Sequence, residues 1–149
     1  MNRLKDFLTL DKQLCFAIYE TGSQFHKLYT KALQSFGLTY PQYLVLLALW
    51  EKDHMTFKEL GEKLSLGSGT LTPMIKRMES KGWIAKERSK SDERSVCVAL
   101  ESKAIDQKEA ITEKVRLEIE SCQIKQEEYE QLLEQLHSLT NKLKTRESV

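Results

Sequence analysis

Apolar residues recur along most of this chain at three-and-four spacing, the period of an amphipathic helix, and one short stretch alternates instead. From Leu10 to Phe36 the stripe is Leu14, Ile18, Phe25, Leu28, Ala32 and Phe36, with Gly37 as the stop and Gly22 as an expected bend or close-packing point. Thr39-Tyr40-Pro41-Gln42 starts a second helix, with Thr39 as cap, Gln42 as its box partner and Pro41 in the first turn. The run Tyr43 to Glu51 is apolar nearly all round and should lie at the centre of the fold. A third helix starts at Thr56, where Glu59 completes a Thr-x-x-Glu capping box and Leu60 and Leu64 share a face. Ser65-Leu66-Gly67 reads as a tight turn with the glycine free to take positive φ, and Ser68 or Thr70 can cap a fourth helix. In that fourth helix Leu71, Ile75 and Met78 face inward, while Thr70, Thr72, Lys76 and Arg77 face outward. Lys81-Gly82 stops it. Trp83 and Ile84 lead into a strand ending near Arg88, residues 89–94 form a polar loop, and Val96, Val98 and Leu100 alternate as a half-buried strand should.

Helix, tight turn, helix and hairpin in that order make a winged helix-turn-helix from Thr56 to Leu100. Beyond it, Ser102 can cap a long charged helix reaching Cys122 to Lys125, with an irregular stripe of Ile105, Ile111, Val115, Leu117 and Ile119. A last helix, Gln126 to Lys144, repeats Tyr129, Leu132, Leu133, Leu136, Leu139 and Leu143. A domain of this size cannot bury such stripes alone, so an intertwined homodimer is expected. The fold class is therefore mainly α with a small β-hairpin wing. Residues 1–38 are expected to form an N-terminal dimerisation helix, 39–101 the winged helix-turn-helix region that would read DNA and 102–149 the C-terminal dimerisation helices.

At 149 residues the chain can bury one real core, and its net charge of +1 says little until it is mapped. Between Lys76 and Arg94 lie seven cations (Lys76, Arg77, Lys81, Lys86, Arg88, Lys90 and Arg94) against four acids, which leaves the rest of the chain slightly acidic. A basic hairpin of this kind is an electrostatic footprint for nucleic acid, although a solvated charged loop would look the same. Three cysteines without close pairing exclude a zinc site or a secreted disulfide scaffold, and His26, His54 and His137 are isolated, so no metal, cofactor or catalytic triad is expected. Without a signal-like segment or a membrane-length apolar run, the expected location is cytoplasmic, with no membrane partner.

Several stretches, in order, carry a resemblance: Leu14-Cys15-Phe16-Ala17, then Gly37-Leu38-Thr39-Tyr40-Pro41-Gln42-Tyr43-Leu44-Val45, Leu49-Trp50-Glu51, Gly69-Thr70-Leu71-Thr72-Pro73, and the wing triplet Asp92-Glu93-Arg94. The sequence resembles the MarR family of winged-helix transcription regulators, in its organic hydroperoxide resistance branch. The resemblance implies a dimeric repressor, not an enzyme, on palindromic double-stranded operator DNA. Ser68, Thr70, Thr72, Lys76 and Arg77 would meet phosphates or base edges in the major groove, and Arg94 would enter the minor groove. Lys86, Arg88 and Lys90 would add wing charge, with Asp92 shaping the loop around Arg94.

Read from its neighbours alone, Cys15 is a small buried hydrophobe. The resemblance makes it the peroxide sensor, whose thiolate is oxidised to sulfenic acid. Tyr19 shares its helix face. Tyr29 lies fourteen residues on, roughly 21 Å along a straight helix, so a contact with Cys15 would have to come from the other subunit. By resemblance, Tyr29 and Tyr40 donate hydrogen bonds to the reactive sulfur. The oxidised thiol would then be capped by a small cellular thiol or resolved by Cys122 of the partner, while Cys97 reads as structural. Three competing readings stay open: release by a small phenolic ligand, a thiol peroxidase, and a pure helical adaptor.

Overall fold

A computed structural model describes residues 7–88 and 96–146. The elements are a 3-10 turn Leu10–Lys12, α1 Leu14–Leu33, a second 3-10 turn Gln34–Phe36, α2 Tyr40–Glu51, β1 Met55–Thr56, α3 Phe57–Leu64, α4 Ser68–Ser80, β2 Ile84–Arg88, β3 Val96–Leu100, α5 Ser102–Asp106, α6 Lys108–Glu120 and α7 Gln126–Thr145. They form two compact units that divide between Val115 and Arg116. The mainly helical class with a hairpin wing is what the apolar periodicity predicts.

The helix expected over Leu10 to Phe36 is α-helical only from Leu14 to Leu33, with a 3-10 turn before and after it. Gly22 neither breaks it nor answers a close approach, because a Cβ there would meet nothing within 4 Å. Gly37 does stop it, at φ +70°, a conformation open to glycine. The capping box opening α2 forms as expected: Gln42 N–H donates to the Thr39 hydroxyl at 3.4 Å, and Thr39 N–H donates to Gln42 Oε1 at 3.1 Å. Val45, Leu46, Ala48 and Leu49 of α2 are buried together with Leu33, Leu60, Ile75, Met78, Trp83 and Val98. Each large apolar side chain so buried contributes about 1.5–3 kcal/mol.

Several local expectations are overturned. In the turn between α3 and α4 the residue with positive φ is Ser65 (+56°), while Gly67 has φ −77° and stands at the N-cap of α4, without a side-chain cap from Ser68 or Thr70. The glycine this turn needs is Gly61. Leu66 N–H donates to its carbonyl at 2.9 Å, and a Cβ on Gly61 would stand 2.9 Å from the Leu66 carbonyl oxygen. The wing is not a lone hairpin, since β1 pairs antiparallel with β3, Met55 opposite Val98, to give the order β1-β3-β2. As the middle strand, β3 buries Cys97, Val98 and Ala99 in succession and leaves only its outer residue Val96 exposed, so the simple alternation fails. The helix expected from Ser102 to Cys122 or beyond is interrupted at Gln107 and ends at Glu120. Glu101, not Ser102, holds its N-cap position, and Cys122 lies in the turn after Glu120. Asp53 ties the α2–β1 loop to the sheet, accepting from the Leu100 N–H at 2.9 Å.

At Thr56 the expected box is half made. Glu59 N–H donates to the Thr56 hydroxyl at 3.1 Å, but the Glu59 carboxylate takes the hydroxyl proton (3.2 Å) and the Lys52 ammonium (3.3 Å) instead of the Thr56 backbone. The Lys52 hydrogen bond, then its charge and the Thr56 bonds, hold the Glu59 carboxyl below the usual glutamate range. A lowered folded-state pKa means stabilisation that is present at neutral pH and lost as pH falls through that value. Urea midpoints of wild type and Glu59→Gln should therefore differ at neutral pH and converge as pH falls below the usual glutamate range. A pH-independent gap would show that the carboxylate charge contributes nothing.

Candidate functional site

The outward face of α4 is continuous and polar. Ser68, Thr70, Thr72, Lys76 and Arg77 are all exposed, while Leu71, Met74, Ile75 and Met78 bury the opposite side. Pro73 also lies exposed in the helix interior, where it has no N–H to donate to the Gly69 carbonyl. Three hydroxyls and two cations thus stand on the outward side of one helix whose angle is set by its buried side.

The wing cations do not stand alike. Lys86 is drawn back onto the body: its N–H donates to Glu79 Oε2 at 3.3 Å, its ammonium lies 3.9 Å from Glu79 Oε1, and it sits 6.0 Å over the Phe57 ring. Arg88 is exposed at the end of β2. Lys90, Asp92 and Arg94 lie outside the described residues. Lys103, which no sequence pattern marks, supports the wing root by lying 4.3 Å over the buried Trp83 ring and donating to the Lys81 carbonyl at 3.0 Å.

The candidate thiol is not a core cysteine within the chain. Cys15, the second residue of α1, is exposed and flanked by exposed Leu14, Ile18 and Tyr19, and its sulfur lies 3.8 Å from Gln13 Oε1. Tyr19 stacks on Phe16 at 6.4 Å between centroids. Because α1 is continuous from Leu14 to Leu33, Tyr29 stays about 21 Å along it from Cys15. The structure gathers Tyr29 and Tyr40 instead, stacked at 4.9 Å, with Tyr43 at 5.7 Å and His26 edge-on to Tyr40 at 5.8 Å. His26 and Tyr43 were not singled out from sequence; only their helical spacing to Tyr29 and Tyr40 could have signalled them. Cys122 is exposed, its thiol donating to the Glu118 carbonyl at 3.6 Å, and Cys97 is buried on β3. Among the described residues no cluster of three or more potential metal ligands occurs, and no helix is long and apolar enough to cross a membrane.

A helix with a polar exposed face over a buried apolar stripe, beside a small three-stranded antiparallel sheet, gives the winged-helix fold of DNA-binding regulators. Comparison with known proteins agrees. Residues 27–112 match the family model for the transcriptional regulators SarA/Rot. The organic hydroperoxide resistance transcriptional regulator of Bacillus subtilis is 50% identical over 95 residues, 64% of this chain and 65% of its own length, so this chain spans just under two thirds of that relative. The regulator SarZ of Staphylococcus epidermidis is 35% identical over 133 residues, 89% of this chain and 90% of its own. Reduced AbfR bound to DNA superposes with a TM-score of 0.82 at 39% identity, covering 97% of this chain and 98% of that one. AbfR, from Staphylococcus epidermidis, has also been solved overoxidised on DNA and in a disulfide-formed state. The chain belongs to the SarA/Rot family of transcriptional regulators, winged-helix proteins of the MarR type.

Proposed function

We propose that this protein is a cytoplasmic, thiol-based redox repressor that binds a palindromic operator as a homodimer and leaves it when Cys15 is oxidised by an organic hydroperoxide. The observation that carries this is the placement of Cys15, exposed within an exposed apolar face and far along α1 from the Tyr29–Tyr40 pair. A second copy docked on that face would cover the thiol and bring the partner's tyrosines to it. The captured reduced, overoxidised and disulfide forms of AbfR support the reading by likeness.

In this scheme the thiolate of Cys15 attacks the terminal oxygen of the hydroperoxide. The S–O bond forms as the O–O bond breaks, the alcohol leaves after taking a proton, and sulfur is oxidised to sulfenic acid. Tyr29 and Tyr40 of the partner subunit stabilise the thiolate by donating hydrogen bonds. Ser68, Thr70, Thr72, Lys76, Arg77 and Arg88 hold the operator, with Lys86 contributing only when it leaves Glu79. The deciding experiment is operator binding by wild type and Cys15→Ser before and after hydroperoxide.

Cys122 serves as resolving thiol. It is exposed in the turn after α6, where a sulfenic acid of another subunit can approach it. Hydroperoxide should yield a covalent dimer on non-reducing electrophoresis from wild type and from Cys97→Ser, and none from Cys122→Ser. A covalent dimer persisting in Cys122→Ser would remove it from that role.

A further inference from the structure

The tyrosine pair is one end of a longer aromatic series. Tyr40, Tyr43 and Trp50 recur on one side of α2, at i, i+3 and i+10. Tyr29 reaches in from α1 to stack on Tyr40 at 4.9 Å and lies 5.7 Å from Tyr43; Tyr43 in turn meets Trp50 edge-on at 6.3 Å. The series ends in a directed polar contact. Trp50 Nε1–H donates to the Ala104 carbonyl at 3.1 Å, across 54 positions of sequence. Ala104 is fully buried in α5, the segment between wing strand β3 and α6, and the ammonium of Lys108, the first residue of α6, stands 5.9 Å over the Trp50 ring.

Rings packed this closely cannot shift one at a time, and α2 is short, about 15 Å from Tyr40 to Trp50, and buried along most of its length. Packing alone would be met by a phenylalanine at position 50. What a tryptophan adds is an N–H that fixes α2 to the backbone of α5.

We infer that Trp50 is a coupling residue. Its bond to Ala104 passes a displacement of the Tyr29–Tyr40 pair, produced by oxidation of the partner subunit's Cys15, to the root of the wing, and so sets how much operator affinity oxidation removes. The inference rests on the redox-repressor reading and concerns the signal, not the thiol chemistry.

Trp50→Phe keeps a ring and removes the donor. Operator affinity is measured for reduced and hydroperoxide-treated wild type and variant, alongside the rate of sulfenic acid formation at Cys15. The variant should oxidise at the wild-type rate and bind operator when reduced within about threefold of wild type, but its loss of affinity on oxidation should shrink about tenfold, within the usual range of coupling between sites. An unchanged loss overturns the coupling role. So does a thiol that oxidises more slowly in proportion to the lost response, because Trp50 would then act on the sensor itself. A wild type that ignores hydroperoxide overturns the redox reading instead. One measurement needs no variant: wild-type protein labelled with 5-fluorotryptophan has two resonances, from Trp50 and Trp83. The half-buried Trp50 is told from the fully buried Trp83 by its broadening with a soluble paramagnetic probe. Its resonance should move on oxidation, and a stationary one overturns the inference even if Trp50→Phe does not fold.

Discussion

Cys15→Ser should bind the operator as tightly as wild type when reduced and keep that affinity through hydroperoxide treatment that costs wild type about tenfold or more. The substitution exchanges sulfur for oxygen at an exposed position on α1, so neither core packing nor the reading helix is disturbed. It does remove the sulfur that a hydroperoxide can oxidise to sulfenic acid. The size of the wild-type response follows from the coupling free energies typical of two-state regulators, about 5- to 150-fold. Fluorescence anisotropy with a labelled duplex, titrated before and after treatment, reads both affinities. A serine variant still released by hydroperoxide would show that the signal enters elsewhere, and residual sensitivity lost only with Cys122→Ser or Cys97→Ser would name the thiol.

A double substitution Leu132→Lys, Leu136→Lys should convert the proposed homodimer to monomer and weaken operator binding by about a hundredfold or more. No side chain of α7 is buried in the single chain, and Tyr129, Leu132, Leu133, Leu136 and Leu143 stand 39–50% exposed at three-and-four spacing. A twenty-residue helix does not leave such a stripe in water at low cost, since covering the exposed half of each of these side chains contributes about 1 kcal/mol. Two lysines on that stripe would place unpaired charges in the interface. A single reading head then engages one half-site, and the gain from tethering two heads, about 10²- to 10⁴-fold, is lost. The reading helix belongs to the other compact unit, so each monomer should retain its fold by circular dichroism. Sedimentation at micromolar protein checks the oligomer. A persistent dimer would place the interface away from α7.

How far the sequence could be read depended on how local each interaction is. The cap at Thr39, the stripe Leu71, Ile75 and Met78 and the run of α7 depend on residues three or four apart, and all appear as expected. The strand Met55–Thr56 has no readable period because two residues cannot show one; it exists through pairing with Cys97 and Val98. The break at Gln107 has no glycine or proline to announce it. Nor could spacing show that Lys86 would be held by Glu79, seven residues away on a different element.

The candidate site divides in the same way. Residue types and helical period determined which side of α4 reads outward, and helix length alone kept Tyr29 from Cys15 of its own chain. Only the tertiary structure decided that Cys15 is exposed, that Tyr29 stacks on Tyr40, that Cys122 sits in a turn and that Trp50 bonds to Ala104. Those facts depend on which surfaces meet once the core closes. Packing of that kind is set by the whole chain at once, whereas periodicity is written in each helix separately.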